Sequence, residues 1–154
     1  MITNLDATDR KILMQLQANS KQHIKEIAQQ VGLSLTPTYE RIKKLEQQGL
    51  IKAYVAILDR RKINKELIAY CQISLTQHQK ELIDRFKTEV SALESVLECH
   101  HISGNFDFLL KIAVADMNDF QVFINDKLSV VKGIATIHNS FVMNSVKEST
   151  VYIL

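Results

Sequence analysis

Apolar positions in the first fifty residues recur every three or four places, the period of a helix with one buried face. Leu5 leads into a stripe of Ile12, Leu13 and Leu16. Asp6 is placed to cap this first helix, and Asp9 falls in its first turn, where negative charge is favoured. Ala18-Asn19-Ser20 ends it. Ile24, Ile27, Ala28 and Val31 form the stripe of a second helix, which stops at Gly32, a residue that enters the left-handed C-cap conformation cheaply. A third helix is expected to start between Ser34 and Thr36. Pro37 falls in its first turn, where a missing N–H is harmless. Tyr39, Ile42 and Leu45 are its expected buried residues. Gln47-Gln48-Gly49 stops it, and Leu50 and Ile51 return to the core.

Beyond residue 51 the period changes. Residues 52–58 read as a short strand. Leu67, Ala69, Cys71, Ile73 and Leu75 alternate with Ile68, Tyr70, Gln72 and Ser74, as on a strand with two unlike faces. Leu82, Phe86, Val90 and Leu93 restore helical spacing. Val96 to Ile102 is extended, Ser103-Gly104-Asn105 reads as a hairpin turn, and Phe106, Phe108, Leu110, Ile112 and Val114 alternate again. Met117, Phe120, Ile124, Leu128 and Val131 predict a further helix. Residues 134–146 predict a long strand, with Val151 to Leu154 as an added edge. The order β-α-β-β-α-β closes most simply into an antiparallel sheet with two helices on one face, a ferredoxin-like fold. The expected class is therefore α+β. A three-helix, winged-type helix-turn-helix domain spans 1–51, a strand linker 52–64, and a ferredoxin-like effector and dimerisation domain 65–154. Ile68, Tyr70, Leu109 and Ala113 would point to the sheet's open face, and an apolar face left bare calls for a partner, most simply a second copy.

Composition changes this picture only through its distribution. The 154 residues carry a net charge of +2, but residues 1–62 hold +5 and residues 63–154 hold −3. A basic half joined to an acidic half points the first toward a polyanion. The N-terminus shows no signal-peptide pattern and no stretch is apolar enough to cross a membrane. Cys71 and Cys99 form no C-x-x-C pair, which suits a reduced, cytoplasmic protein. His100 and His101 are adjacent on a strand and point to opposite faces, so they cannot share one metal ion. Cys99 and His101 do share a face, although a structural cysteine is the commoner use. His23, His78 and His138 lack ligand spacing. No nucleophile elbow, phosphate loop, dinucleotide fingerprint or zinc-protease motif occurs, so the expectation is a non-enzyme with no cofactor and no metal.

Two helices joined by a Gly-containing turn, the second bearing outward cations, form a helix-turn-helix. The N-terminal residues of its second helix meet base edges in the major groove of double-stranded DNA, while neighbouring cations and N–H groups hold phosphates. The candidates are Ser34, Thr36, Thr38, Glu40, Arg41, Lys43 and Lys44. Ser34 is open to two uses, as a helix cap and as a phosphate contact.

Several segments together resemble the leucine-responsive/AsnC, or feast/famine, transcription regulators. They are Leu5-Asp6-x-x-Asp9-Arg10-x-Ile12-Leu13-x-x-Leu16, Val31-Gly32-Leu33-Ser34, Arg41-Ile42-x-x-Leu45-Glu46-x-x-Gly49-x-Ile51 and Ser103-Gly104-Asn105-Phe106-Asp107-Phe108-Leu109-Leu110-Lys111. Asp116-Met117 and Val146-Lys147 also fit, so the likeness runs from Leu5 to Lys147. The resemblance implies a regulator whose second half senses a small effector, usually an amino acid, between dimers near the Gly-x-x-Asp turn. It also implies self-assembly into dimers and then octamers of four dimers. Free N–H groups around Gly104 and Asn105 would hold the effector's carboxylate, and Asp107 its ammonium, with Met117, Asn139 and Ser140 close by. The plainer alternative is that Gly104 serves the hairpin and Asp107 caps it. This chain departs from the family where Ile137 and Asn139 stand in place of polar partners, and where Val131-Lys132-Gly133 replaces Leu-Pro-Gly. Those departures bear on the identity of the effector. A DNA-architectural protein of the same fold, with no effector, is the alternative function.

Overall fold

The computed structural model describes residues 5–154, which divide into two compact units. One runs to Ile57 and takes in Lys147–Leu154, and the other is Leu58–Val146.

In the first unit, α1 (Ala7–Ala18), α2 (Ile24–Val31) and α3 (Leu35–Gln47) close on Ile12, Leu13, Ile27, Ile42 and Leu45. Asp6 caps α1, its Oδ1 accepting the Asp9 N–H at 2.7 Å. The α2–α3 turn is made by Gly32, whose φ of 74° is the left-handed C-cap; the next N–H, of Leu33, reaches back to the Ala28 carbonyl at 3.0 Å. That turn sets where α3 begins. Two expectations fail here. Residues 52–58 form no strand and join no sheet among the described residues, their Tyr54 hydroxyl donating to the Glu46 carboxylate at 2.8 Å. Leu50 is exposed rather than returned to the core, while Ile51 packs against it.

The last residues also differ from expectation. Val151–Leu154 adds no edge strand. It lies in the first unit, where the Gln17 side-chain amide donates to the Tyr152 carbonyl at 3.0 Å and accepts the Tyr152 N–H at 2.7 Å. A side-chain amide carries one donor and one acceptor at the spacing of a peptide edge, and so can pair with one extended residue as a neighbouring strand would.

The second unit orders β1 (Leu67–Leu75), α4 (Lys80–Ser91), β2 (Val96–His101), β3 (Phe108–Val114), α5 (Met117–Phe123) with a π-helical turn Ile124–Leu128, and β4 (Ile134–Phe141). The sheet order is β2-β3-β1-β4, with every neighbouring pair antiparallel, the ferredoxin-like arrangement expected. Alternation along β1 and β3 sends Ala69, Cys71, Ile73, Leu75, Phe108, Leu110, Ile112 and Val114 to the helices, where they pack with Phe86, Val90, Phe120, Phe123 and Leu128. Burial alone pushes the Cys71 thiol up to about 12, so it is inert at neutral pH. The π turn lengthens the step from Phe123 to Leu128, so both stay buried although five residues apart.

The opposite face is not the bare apolar surface expected. Ile68 and Ala113, paired in register, are buried. Tyr70 and Leu109 are half-buried. Around them stand polar groups: Glu98 accepts from the Lys111 ammonium at 2.9 Å and meets the His100 ring at 3.1 Å. The strand period was read correctly, but the polar residues on this face make it amphipathic.

Candidate functional site

At about 100° per residue, Thr38, Ile42 and Leu45 fall on the inner face of α3, and Thr36, Glu40 and Lys43 fall opposite. Burial follows this. Thr38 is fully buried and its Oγ1 donates to the Ser34 carbonyl at 2.9 Å, so it is withdrawn from the candidate DNA contacts. Thr36, Glu40, Lys43 and Lys44 are exposed. Ser34 takes the N-cap position, yet its hydroxyl makes no capping bond, which leaves it open to a phosphate oxygen. Tyr39, expected inside, is exposed, with the Lys43 ammonium 5.1 Å from its ring centre and its own body beside the outward face. Leu35 is exposed as well. Counting the helix from Leu35 would have found both residues, because they sit 60–100° off the buried stripe, roughly, on the outward-turning side.

Arg41 sits on the other flank of that stripe and is already engaged. Its Nη1 donates to Asp6 Oδ2 at 2.6 Å and to Asp9 Oδ1 at 2.7 Å. Asp6 therefore both caps α1 and fastens α3 to it. The Asp9 N–H, followed by the Arg41 guanidinium, holds the Asp6 carboxyl below the ordinary carboxylate range. The sequence reading placed Arg41 on DNA; the geometry makes it a strut between helices. The signal was present in Asp6 and Asp9, both assigned there only to the helix terminus.

In the second unit the β2–β3 turn, residues 102–107, is exposed at Ser103, Gly104 and Asn105. Gly104 has φ 120°, which disfavours any side chain. The turn is anchored at its exit: the Asp107 N–H donates to the Ile73 carbonyl at 2.8 Å, and Ile102 N–H to the Asp107 carbonyl at 2.9 Å. The N–H groups of Gly104 and Asn105 meet no backbone acceptor among the described residues. The Asp107 carboxylate is tied on both oxygens. Oδ2 accepts the Leu75 N–H at 2.7 Å and Oδ1 lies 2.7 Å from His78 Nε2. The Leu75 N–H, and then His78, draw its pKa below the ordinary value. Sequence reasoning missed His78 because ligand spacing was sought along the chain, and this contact spans 29 positions.

The remaining sensor candidates do not gather at the turn. Asp107 precedes β3 and Met117 follows it, and the seven-residue strand between them spans about 20 Å. Asn139 and Ser140 pair with Cys71 and Tyr70, and as neighbours on β4 they face opposite sides of the sheet. Phe141 meets Phe120 of α5 with ring centres 4.9 Å apart, which puts this end of β4 near α5. On β4, His138 reaches toward the turn, its ring 5.2 Å from Phe106. Cys99 and His101 do share the helix-bearing face, where His101 stacks on Phe108 at 4.7 Å.

A helix-turn-helix with an outward cationic face, joined to a ferredoxin-like domain with an exposed anchored turn, defines a DNA-binding regulator with a separate sensing domain. Comparison with known proteins agrees. Residues 5–52 match the winged helix-turn-helix DNA-binding model and residues 68–152 the Lrp/AsnC ligand binding domain. The chain is 37% identical to the leucine-responsive regulatory protein of Haemophilus influenzae over 97% of its own length and 90% of the relative's. It is 36% identical to that of Escherichia coli K12, covering 95% and 89%. Among solved structures, an AsnC family regulator from Agrobacterium tumefaciens superposes with TM-score 0.92 at 34% identity, covering 96% of each chain. A Neisseria meningitidis transcriptional regulator, solved as its L-Met complex, gives 0.91 at 34% identity, covering 96% of this chain and 95% of that one. This protein belongs to the Lrp/AsnC family of transcription regulators.

Proposed function

We propose that this chain is an amino-acid-responsive regulator that works in the cytoplasm as an assembly of its own copies and holds its effector at the β2–β3 turn. One observation carries the effector site. The turn presents free N–H groups at Gly104 and Asn105 beside a half-buried carboxylate at Asp107, the complement of an amino acid's carboxylate and ammonium. The L-Met complex of the Neisseria relative supports the ligand class. Met117, Asn139 and Ser140 join such a site only if a second copy brings them to the turn, which is consistent with an effector bound between protomers.

Self-association is supported by the segment after α3. Residues 52–58 join no sheet among the described residues, and Val55 and Ile57 are about three-quarters exposed, apolar side chains of the kind that a second chain covers. A dimer would present two α3 helices to half-sites one DNA turn apart, or a multiple of that, and four dimers would make an octamer. The DNA surface is Ser34, Thr36, Glu40, Lys43 and Lys44, with Leu35 and Tyr39 beside them.

One observation favours the second reading, an architectural DNA-binding protein without an effector: both Asp107 oxygens are already used within the chain. Calorimetry of the full chain against the twenty amino acids, L-methionine first, separates the two. Heat of binding that is lost in Asp107→Asn establishes the effector site, because the amide oxygen still accepts the Leu75 N–H while the charge is gone. Absence of heat with all twenty gives the architectural reading.

A further inference from the structure

The two oxygens of Asp107 are held in different ways. Oδ2 is fixed by the Leu75 backbone at the end of β1, a bond that breaks only if the strand moves. Oδ1 is held by His78, in the short β1–α4 connection, whose side chain is 66% exposed while that of Asp107 is only 19% exposed. The His78 ring has no other partner among the described residues. Removing it from Oδ1 therefore frees one side of a half-buried carboxylate without disturbing the fold.

We infer that His78 is a built-in competitor of the effector, filling the place at Asp107 Oδ1 that the ammonium of a bound amino acid takes. This rests on the effector site proposed above and specifies how that site chooses its ligand. The ammonium and the imidazole cannot both occupy the place at Oδ1, so entry of the ammonium turns the imidazole out into solvent, and a side chain that cannot reach Oδ1 leaves the place open to the effector. The other charged group acting on Asp107 is His101 of β2, which stacks on Phe108 and acts through space without touching the carboxylate. It provides the control.

The test is calorimetry of L-methionine, and of the remaining amino acids if that one is silent, with the full-length chain and its His78→Ala and His101→Gln variants. His78→Ala is expected to bind roughly two- to fivefold more tightly than wild type, the range for losing one exposed pair, while His101→Gln binds as wild type does. If His78→Ala binds no more tightly than wild type, or more weakly, the inference is overturned and the effector site stands. If His101→Gln tightens binding by the same factor, it is also overturned. If neither wild type nor any variant binds any amino acid, this inference and the effector site fall together.

Discussion

Arg41 in the DNA-binding unit and Asp107 in the sensing unit are both charged residues whose positions suggest a ligand contact, and both are engaged within the chain. The difference lies in their partners. Arg41 faces two carboxylates, at 2.6 and 2.7 Å, both at the start of the helix it is fastened to. Asp107 faces one backbone N–H and one exposed imidazole. The first arrangement fixes α3 against α1. The second has one permanent bond and one that a cation can take over. A pre-paired charge is thus a strut or a socket according to whether its partner can leave.

The comparison is broken most directly at the recognition helix. If Lys43 and Lys44 hold phosphates while Arg41 does not, the double variant Lys43→Ala/Lys44→Ala loses the largest share of affinity. Each phosphate contact contributes about one unit to the slope of log K against log salt. The double variant should bind at least about tenfold more weakly at 0.1 M salt, with the slope reduced by about two. Its melting temperature should stay within a degree or so of wild type, because both side chains are exposed. Fluorescence anisotropy over a salt series measures this. An unchanged slope would return the phosphate role to other residues.

Arg41→Ala sharpens the contrast at a smaller scale. As a strut, its loss lowers the melting temperature and DNA affinity together, and leaves the salt slope unchanged. As a phosphate contact, its loss would lower affinity and slope at constant melting temperature. The pH dependence has a definite sign. Asp6 has its folded pKa below the ordinary 3.8. Its contribution to stability is therefore complete above that value and disappears as pH falls through the lower folded value. Thermal melts of wild type and Arg41→Ala should be separated by a constant gap from pH 8 to pH 5. They should converge below about pH 4 as Asp6 protonates. The convergence is partial, because the Asp9 N–H, the larger influence on Asp6, survives the substitution.

What the sequence disclosed follows from range. The stripes of α1, α2 and α3 and the alternation of β1 and β3 are local periods, and they yielded the core almost residue by residue, from Ile12 and Ile27 to Leu110 and Ile112. Gly32 was legible because a left-handed cap is a property of one residue. Tyr39 and Thr38 were exchanged between inside and outside because a shift of one residue turns a helix by about 100°, and the polarity of a Thr and a Tyr misled where the phase did not. The partners of Arg41, Asp107 and His78 within the chain were not legible because they lie 32 to 35, 32 and 29 positions away, and no local pattern encodes such a meeting. The final strand, expected over 134–146, ends at Phe141, and Val151 to Leu154 were expected as an edge because their apolar run fits a strand; the partner that Tyr152 found was a side-chain amide on α1.

That last contact gives the smallest effect. Gln17 pairs with both backbone groups of Tyr152, and Leu154 lines a shallow recess with Ala7, Arg10, Lys11 and Met14 of α1. Both hydrogen bonds are exposed to water, so replacing them with solvent costs little. Gln17→Leu keeps the length and helix propensity of the side chain while removing donor and acceptor. It should lower stability by about 1 kcal/mol or less and leave DNA affinity unchanged, because Gln17 is on α1 and its partner is the Tyr152 backbone. The sensitive readout is local. The Tyr152 N–H is the donor in the 2.7 Å bond, so its hydrogen exchange should accelerate markedly in the variant, while amides of Ile12 and Leu13 in the core of α1 exchange as before. Carboxypeptidase should remove the last residues of the variant faster than those of wild type. Unchanged exchange at Tyr152 would mean that the tail is held to α1 by the apolar contacts of Leu154 alone, and Leu154→Ser would then release it where Gln17→Leu did not.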